Sequence, residues 1–391
     1  MPSLTRRQAL AALGAISAGL AGCASQANPS GDLGVVDGEW PMVGREPGQT
    51  RWSPEGPIEP ETVWTTELED ARAAGTPSVA DSRIYVPVDA VSDRDPHRHH
   101  LYALEAGSGE ERWRIPLRSG ANSPPVVHGS RIVLSVQTAT EQGRLVGFDE
   151  RDGAEEWLYD IDARVTAPPT VDGAAIYVPD WGGSVHALSA FSGSLQWAHE
   201  IDPDDSSYTF AGSIAVHDGT LYLGSMAGET GLVAVDAETG DLRWFRSTAG
   251  VSAGPVVDDG LVVVQGDSLV HAFDTDGTER WTFNVPGDRF ESPLALDENY
   301  VYVPMREALY AITRDGEAAW TTELATNDAG PPTISGEAVL VTEDGQLRAL
   351  DRSDGTTRWS VETDGRGDVV TLPEVIMMSG SGGLITALGE E

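Results

Sequence analysis

Beyond the first two dozen residues, the apolar positions fall in short alternating or β-branched runs, separated by turns rich in Gly, Asp and Pro, and no stretch keeps a helical period. This spacing predicts strands of about 4–8 residues joined by tight turns. The runs also repeat. Trp stands at 64, 113, 157, 197, 244, 281, 320 and 359, at intervals of 37 to 49 residues. Ahead of seven of these Trp lies a pattern close to A-x-D-x-x-x-G-x-x-x-W, as in Ala234-Val235-Asp236 to Gly240 and Trp244, or Ala349-Leu350-Asp351 to Gly355 and Trp359. Two copies, Ala272 to Trp281 and Ala311 to Trp320, are one residue shorter in the turn. Each Gly suits the tight turn, and each Asp can accept hydrogen bonds from that turn's amides.

A unit of about 40 residues with four short antiparallel strands has the period of a propeller blade. The two ends of the chain complete each other. The last unit, Trp359 to Leu388, has three strands and no closing Trp, whereas Glu61-Thr62-Val63-Trp64 has the Trp without the strands before it. The expected fold is therefore all-β: an eight-bladed β-propeller of four-stranded antiparallel blades, closed by pairing of the N- and C-terminal segments, with no sheet edge left open in the ring. Each repeat Trp is expected to lie across the motif turn of the neighbouring blade, a structural docking role for Trp64, Trp113, Trp157, Trp197, Trp244, Trp281, Trp320 and Trp359.

Charge adds the solvent. Against 62 Asp plus Glu stand 25 basic residues, all of them Arg, for a net charge of -37. Such self-repulsion destabilises a compact chain in dilute buffer, but near 1 M salt the Debye length is about 3 Å and exposed charges are screened. The composition points to a halophile, archaeal in origin. It excludes nucleic acid and bare anionic lipid as direct partners, since both require cationic patches. A single Cys excludes an internal disulfide and any multi-Cys metal site.

That Cys sits in an address. Arg6 and Arg7 form a twin-arginine pattern, followed by an uncharged apolar stretch from Ala9 to Ala21, too short to span a bilayer, and then Leu20-Ala21-Gly22-Cys23, a lipobox. Residues 1–22 read as a twin-arginine lipoprotein signal peptide. Residues 23–38 read as a lipidated Cys and flexible tether, 39–64 as an N-terminal segment with the closing strand, and 65–391 as the propeller. The expected location is extracellular, on the outer face of the cytoplasmic membrane, held by lipid on Cys23.

The Ala-Asp-Gly-Trp repeat, the lipobox and the segment Trp40-Pro41-Met42-Val43-Gly44-Arg45 together resemble proteins with pyrroloquinoline-quinone-type propeller repeats, in particular the BamB-like lipoprotein branch, over residues 40 to 388. The resemblance implies the propeller and leaves the activity open. Quinone-dependent dehydrogenases of this family hold the quinone between a Trp and a disulfide of adjacent Cys, beside Ca²⁺ and a catalytic Asp. No Cys follows Cys23, so that disulfide cannot form here, and the family's Ca²⁺ ligands find no matching positions. No catalytic residue and no cofactor are expected.

Two clusters bear on chemistry. Asp93, Asp95, His97, His99 and His100 crowd one hairpin of the first blade, and imidazole with carboxylate can ligate a transition metal; a solvated loop tip explains them as well. In the loops leading from Trp to the next inner strand, Arg72, Arg164, Arg289 and Arg366 occupy comparable places, joined by Asn122, Tyr208, Phe210, Glu291 and Asn327. They form a candidate site for a carboxylate, phosphate or peptide terminus. Local pairing with Asp162, Asp288 or Asp368 is the alternative. His186 and His271, just before the motif Ala, read as packing residues. The expected function is a non-catalytic, lipid-anchored scaffold for protein or peptide partners. The competing expectation is a quinoprotein-like oxidoreductase, or an extracellular ligand-binding subunit using the propeller channel.

Overall fold

A computed structural model describes residues 31–390 except 70, 91–98, 118–119, 122, 140–141, 202–207, 229, 252, 267, 287–291 and 326–328. Eight small sheets form a ring, and the described residues contain no helix. Blades 1 to 7 occupy 71–117, 120–161, 170–200, 208–247, 256–284, 295–323 and 333–362. Blade 8 combines three C-terminal strands, Gly365–Thr371, Val375–Gly380 and Leu384–Gly389, with the N-terminal strand Glu61–Glu67. The latter pairs antiparallel with Leu384–Gly389, placing Trp64 opposite Ala387. Ring closure thus joins the two ends of the chain.

Strand position in a blade follows the pattern of side chains. The second strand of blade 7, Ala338–Glu343, is buried at every position because a blade packs on each of its faces, so it reads as a continuous run. The outer strand Glu279–Asn284 alternates exposed and half-buried positions, since it borders solvent. The apolar core is divided among the blade interfaces, as in the cluster of Tyr302, Leu309, Ile334 and Leu350 between blades 6 and 7.

Each motif Ala or Gly faces its Trp across the strand pair: Ala103 with Trp113, Gly147 with Trp157, Ala349 with Trp359. A small residue is required there, because a Cβ on Gly147 would lie 2.2 Å from the Trp157 indole. The indole then crosses onto the next blade. Trp64 Nε1 donates to the Ala106 carbonyl at 3.1 Å, Trp113 to Glu150 at 3.1 Å, Trp244 to Thr275 at 3.0 Å and Trp320 to Arg352 at 2.8 Å. Trp197 and Trp281 make the same bond to Ala237 and Arg314. Trp157 lies on Gly193 but leaves its buried Nε1 without an acceptor. Trp359 packs between blades 7 and 8, where strands from the two ends of the chain replace the usual turn.

The N-terminal segment departs from its expected course. Residues 23–38 read as a flexible tether, yet from Gly31 onward the chain is seated on the ring: Gly31 N donates to Val63 O, Leu33 N to Gly107 O and Val36 N to Ser82 Oγ. Backbone donors and the buried Val36 side chain outweigh the freedom that Gly and Asp suggested. Residues 40–53 then run around the inside of the channel as a belt. Trp40 exchanges both backbone bonds with Val79 of blade 1. The carbonyls of Pro41, Pro47, Gly48, Thr50 and Arg51 accept from Val127, Val216, Val257, Leu296 and Ile334, one inner strand after another. Blade 3 is reached by a side chain, Gln49 Nε2 donating to Thr170 Oγ1 at 3.3 Å. Inner strands would otherwise present unpaired amides to the channel, so the belt satisfies an edge that ring closure leaves open. Contact is close enough that a Cβ on Gly48 would lie 2.3 Å from the Val257 carbonyl oxygen. Arg45, Gln49 and Arg51 hold φ of 75°, 61° and 58°, left-handed values that persist only where surrounding bonds fix them.

Candidate functional site

The belt and the turns after the inner strands mark one face of the ring. The opposite face is built from the loops between blades and the turns between each blade's middle strands, which touch one another: Trp181 N donates to Arg164 O, and Gly382 N to Arg72 O. Of the predicted Arg cluster, Arg72 and Arg164 belong to this loop face.

Arg164 is half-buried, with its guanidinium carbon 4.1 Å from the centre of the Trp181 ring. Trp181 is held by Nε1 donating to Thr166 Oγ1 at 2.8 Å as well as by its backbone. Beside it, Asp180 Oδ2 lies 3.0 Å from His186 Nε2, and His186 Nδ1 lies 3.1 Å from the Tyr159 hydroxyl. With Nε2–H donating to the carboxylate, Nδ1 is the acceptor for Tyr159, which fixes the tautomer by the network. Asp180 Oδ1 takes the Ser184 amide at 2.9 Å. Burial, with the Asp180 and Asp162 charges behind it, pushes the Tyr159 phenol above its ordinary range. Asp180, His186 and Tyr159 therefore form a neutral-hydroxyl chain that anchors the turn carrying Trp181. His186 has this polar partnership besides its packing; His271 stacks on Phe273 with centroids 6.1 Å apart.

Arg72 is exposed. Arg164 has no ion pair with Asp162, which is exposed two residues earlier. Asp368 is committed elsewhere: its Oδ1 forms an ion pair with Arg51 Nη2 at 2.8 Å, and its Oδ2 accepts from Thr76 Oγ1 at 2.5 Å. Among the described residues the Arg164 guanidinium meets Trp181 and no carboxylate; Asp288, the third partner that local pairing offered, lies outside the described residues. Arg289, Asn122, Glu291 and Asn327 lie outside the described residues, and Arg366 is described only in its backbone. Tyr208 and Phe210 are buried and stacked, 5.7 Å between centroids at 9°. They are core, not lining.

In the His-rich hairpin, His99 pairs with Asp89 across the strands, and His100 lies edge-on to Tyr102 at 6.2 Å. Asp93, Asp95 and His97 lie outside the described residues, as do Arg6, Arg7 and Cys23. Among the described residues no group of three His, Cys, Asp or Glu could hold a metal ion.

The channel holds what sequence reasoning missed. Arg51, 1% exposed, donates Nε to Pro332 O at 2.9 Å and Nη2 to Thr333 Oγ1 at 3.0 Å, besides its ion pair with Asp368. The only hint in sequence was the run of Gly and Pro from Pro41 to Gly48, which marks a chain that turns repeatedly. On the belt face a cavity of about 450 Å³ is lined by Glu46, Asp172, His217, Asp218, Asp258 and Trp52, among others. Burial pushes the Glu46 carboxyl up to about 7, against the opposing hydrogen bonds from Thr50 and the nearby Arg45 charge. Its folded pKa thus exceeds the ordinary carboxylate value. The fold binds this proton more tightly than the unfolded chain does, so the contribution of Glu46 to stability falls as pH rises from about 4.5 to about 7. Glu46→Gln keeps an oxygen for Thr50. The melting temperature of wild type minus variant is expected to decline across that window in scans at fixed salt; a flat difference would refute the burial of the charge.

A family model described as outer membrane protein assembly factor BamB matches residues 58–209, 182–282 and 266–389. The BamB of Moranella endobia (strain PCIT) is 25% identical over 299 residues, covering 72% of this chain and 73% of that protein. The BamB of Yersinia pestis is 27% identical over 248 residues, covering 56% of this chain and 58% of that protein. Among solved structures, a europium-containing methanol dehydrogenase superposes with a TM-score of 0.76 over 90% of this chain and 98% of its own, at 12% identity, a likeness of fold alone. With family segments running from 58 to 389 over an eight-bladed ring, the chain belongs to the BamB family of PQQ-type propeller repeats.

Proposed function

We propose that this protein is a non-catalytic, lipid-anchored propeller that binds polypeptide partners on the outer face of the cytoplasmic membrane. One observation carries the reading: the channel, where a propeller enzyme would place its chemistry, is lined by the chain's own belt, bonded to the inner strands of successive blades and pinned by Arg51 to Asp368. Docking is left to the faces and rim of a rigid disc. The family supports the same role, since its relatives are named for the assembly of outer membrane proteins. That particular task is not carried over, because a lysine-free chain of net charge -37 points to a halophilic archaeon, whose envelope is expected to lack an outer membrane.

The test uses the lipidated full chain, solubilised from membranes in multi-molar KCl, with a photo-crosslinker at the exposed Arg72 position of the loop face. The expected result is a reproducible adduct with one membrane or secreted protein. A preparation without adducts that carries a quinone chromophore stabilised by Ca²⁺ would replace this reading with the oxidoreductase. Cys23→Ser is expected to move the protein from the membrane to the soluble extracellular fraction; unchanged membrane association would sink the anchor.

A further inference from the structure

We propose that Arg164, laid on Trp181, is a subsite on the loop face for a carboxylate of a polypeptide partner. It rests on the scaffold reading above and names the chemistry that reading leaves open. In a chain with 62 acidic residues, most other buried and half-buried guanidinium groups among the described residues are met by carboxylates, as Arg131 by Glu156 at 2.7 Å, Arg348 by Glu343 at 2.6 Å and Arg352 by Asp297 at 2.8 Å, while Arg45 and Arg246, the latter over Trp244, donate to backbone carbonyls instead. Arg164 has neither a carboxylate nor a carbonyl on its guanidinium among the described residues; its buried Nε lacks a hydrogen-bond acceptor, as do those of Arg131, Arg348 and Arg352, but each of those three groups has a carboxylate beside it. A desolvated charged donor without a partner is costly, so such a group marks a place where a partner arrives. Trp181, fixed through Thr166 and the Arg164 carbonyl, covers one face of the guanidinium. The edge, where the forked donors lie, remains for an incoming carboxylate. A dianionic phosphate fits less well, because Asp180 adjoins Trp181 in the chain and Asp162 lies two residues from Arg164.

The salt response follows from the net charge. At low ionic strength the whole protein repels an acidic ligand, whereas near 1 M salt the screening length is about 3 Å and only the short-range fork is felt. Binding should therefore strengthen as KCl is raised, the reverse of ordinary ion pairing.

The experiment records the arginine Nε–Hε resonances of the ¹⁵N-labelled propeller in KCl, with Arg164 identified by its loss in Arg164→Lys. The probes are short peptides, acetylated and amidated, with one Glu or with Gln in its place, and a third Gln peptide with a free C-terminal carboxylate. The Glu peptide is expected to shift the Arg164 resonance and the amidated Gln peptide to leave it in place; the third peptide tells whether a chain end serves as well as a side chain. Arg164→Lys should weaken the Glu peptide about tenfold or more with an unchanged melt. No shift at millimolar peptide, an equal shift with both amidated peptides, or weakening with added KCl would overturn the subsite. Persistence of the Arg72 adduct in Arg164→Lys would remove the subsite and leave the scaffold, whereas absence of any adduct in wild type removes the scaffold itself.

Discussion

Trp320→Ala is expected to lower stability by about 3–5 kcal/mol, the cost of truncating a buried aromatic. For a ring of this size that is a fall in melting temperature of about 4–7 °C, read by calorimetry in high salt. Trp320 is 9% exposed, lies 5.9 Å from Tyr302, donates to the Arg352 carbonyl, and covers Gly355, where a Cβ would come within 2.5 Å of the indole. Truncation opens a cavity between blades 6 and 7 and strips a carbonyl of its donor. A finer comparison separates packing from hydrogen bonding. Trp320→Phe loses a bond worth about 1 kcal/mol, while Trp157→Phe removes an Nε1 that has no acceptor and should be close to neutral on that count. Equal losses at the two positions would show that the Nε1 bond contributes nothing.

The second large effect lies in the channel. Arg51→Ala leaves Asp368 without its guanidinium partner and the Pro332 carbonyl and Thr333 hydroxyl without their donor, and removing one member of a buried ion pair typically costs about 3–5 kcal/mol. Asp368 is 19% exposed in its side chain, so water recovers part of that loss and the lower end of the range is expected. Arg51→Met with Asp368→Leu removes both charges and should recover most of the loss. If the single variant melts like wild type, the belt is not pinned by Arg51. The belt also carries left-handed residues at 45, 49 and 51, so its loosening should appear as faster amide exchange at Val216, Val257 and Leu296, whose donors it satisfies.

The repeat was legible because one physical problem recurs eight times. An indole must lie flat on the next blade's turn, so a small residue faces it in its own sheet and a Gly receives it in the neighbour's, and both leave fixed spacings in the chain. The loop face was partly legible. Repeat register brought Arg72 and Arg164 onto one side, but Trp181, in a turn of a different strand pair, gave no sign that it would supply the surface under Arg164. The belt was not legible as a belt. Its backbone bonds reach inner strands from Val79 to Ile334, and no local period records pairing with segments so far apart in sequence.

The sequence by itself determined the blade count, the closure of the ring by the chain's two ends, the docking Trp, the acidic surface and the absence of a second Cys. Each is a property of composition or of local spacing, and local spacing is set by strand pleat and turn geometry. Tertiary structure alone decided that the N-terminal segment enters the channel, that Arg51 takes Asp368, and that Arg164 meets an aromatic face and, among the described residues, no carboxylate. Those outcomes depend on which residues meet across the ring, where contact is fixed by distance in space and sequence separation carries no information.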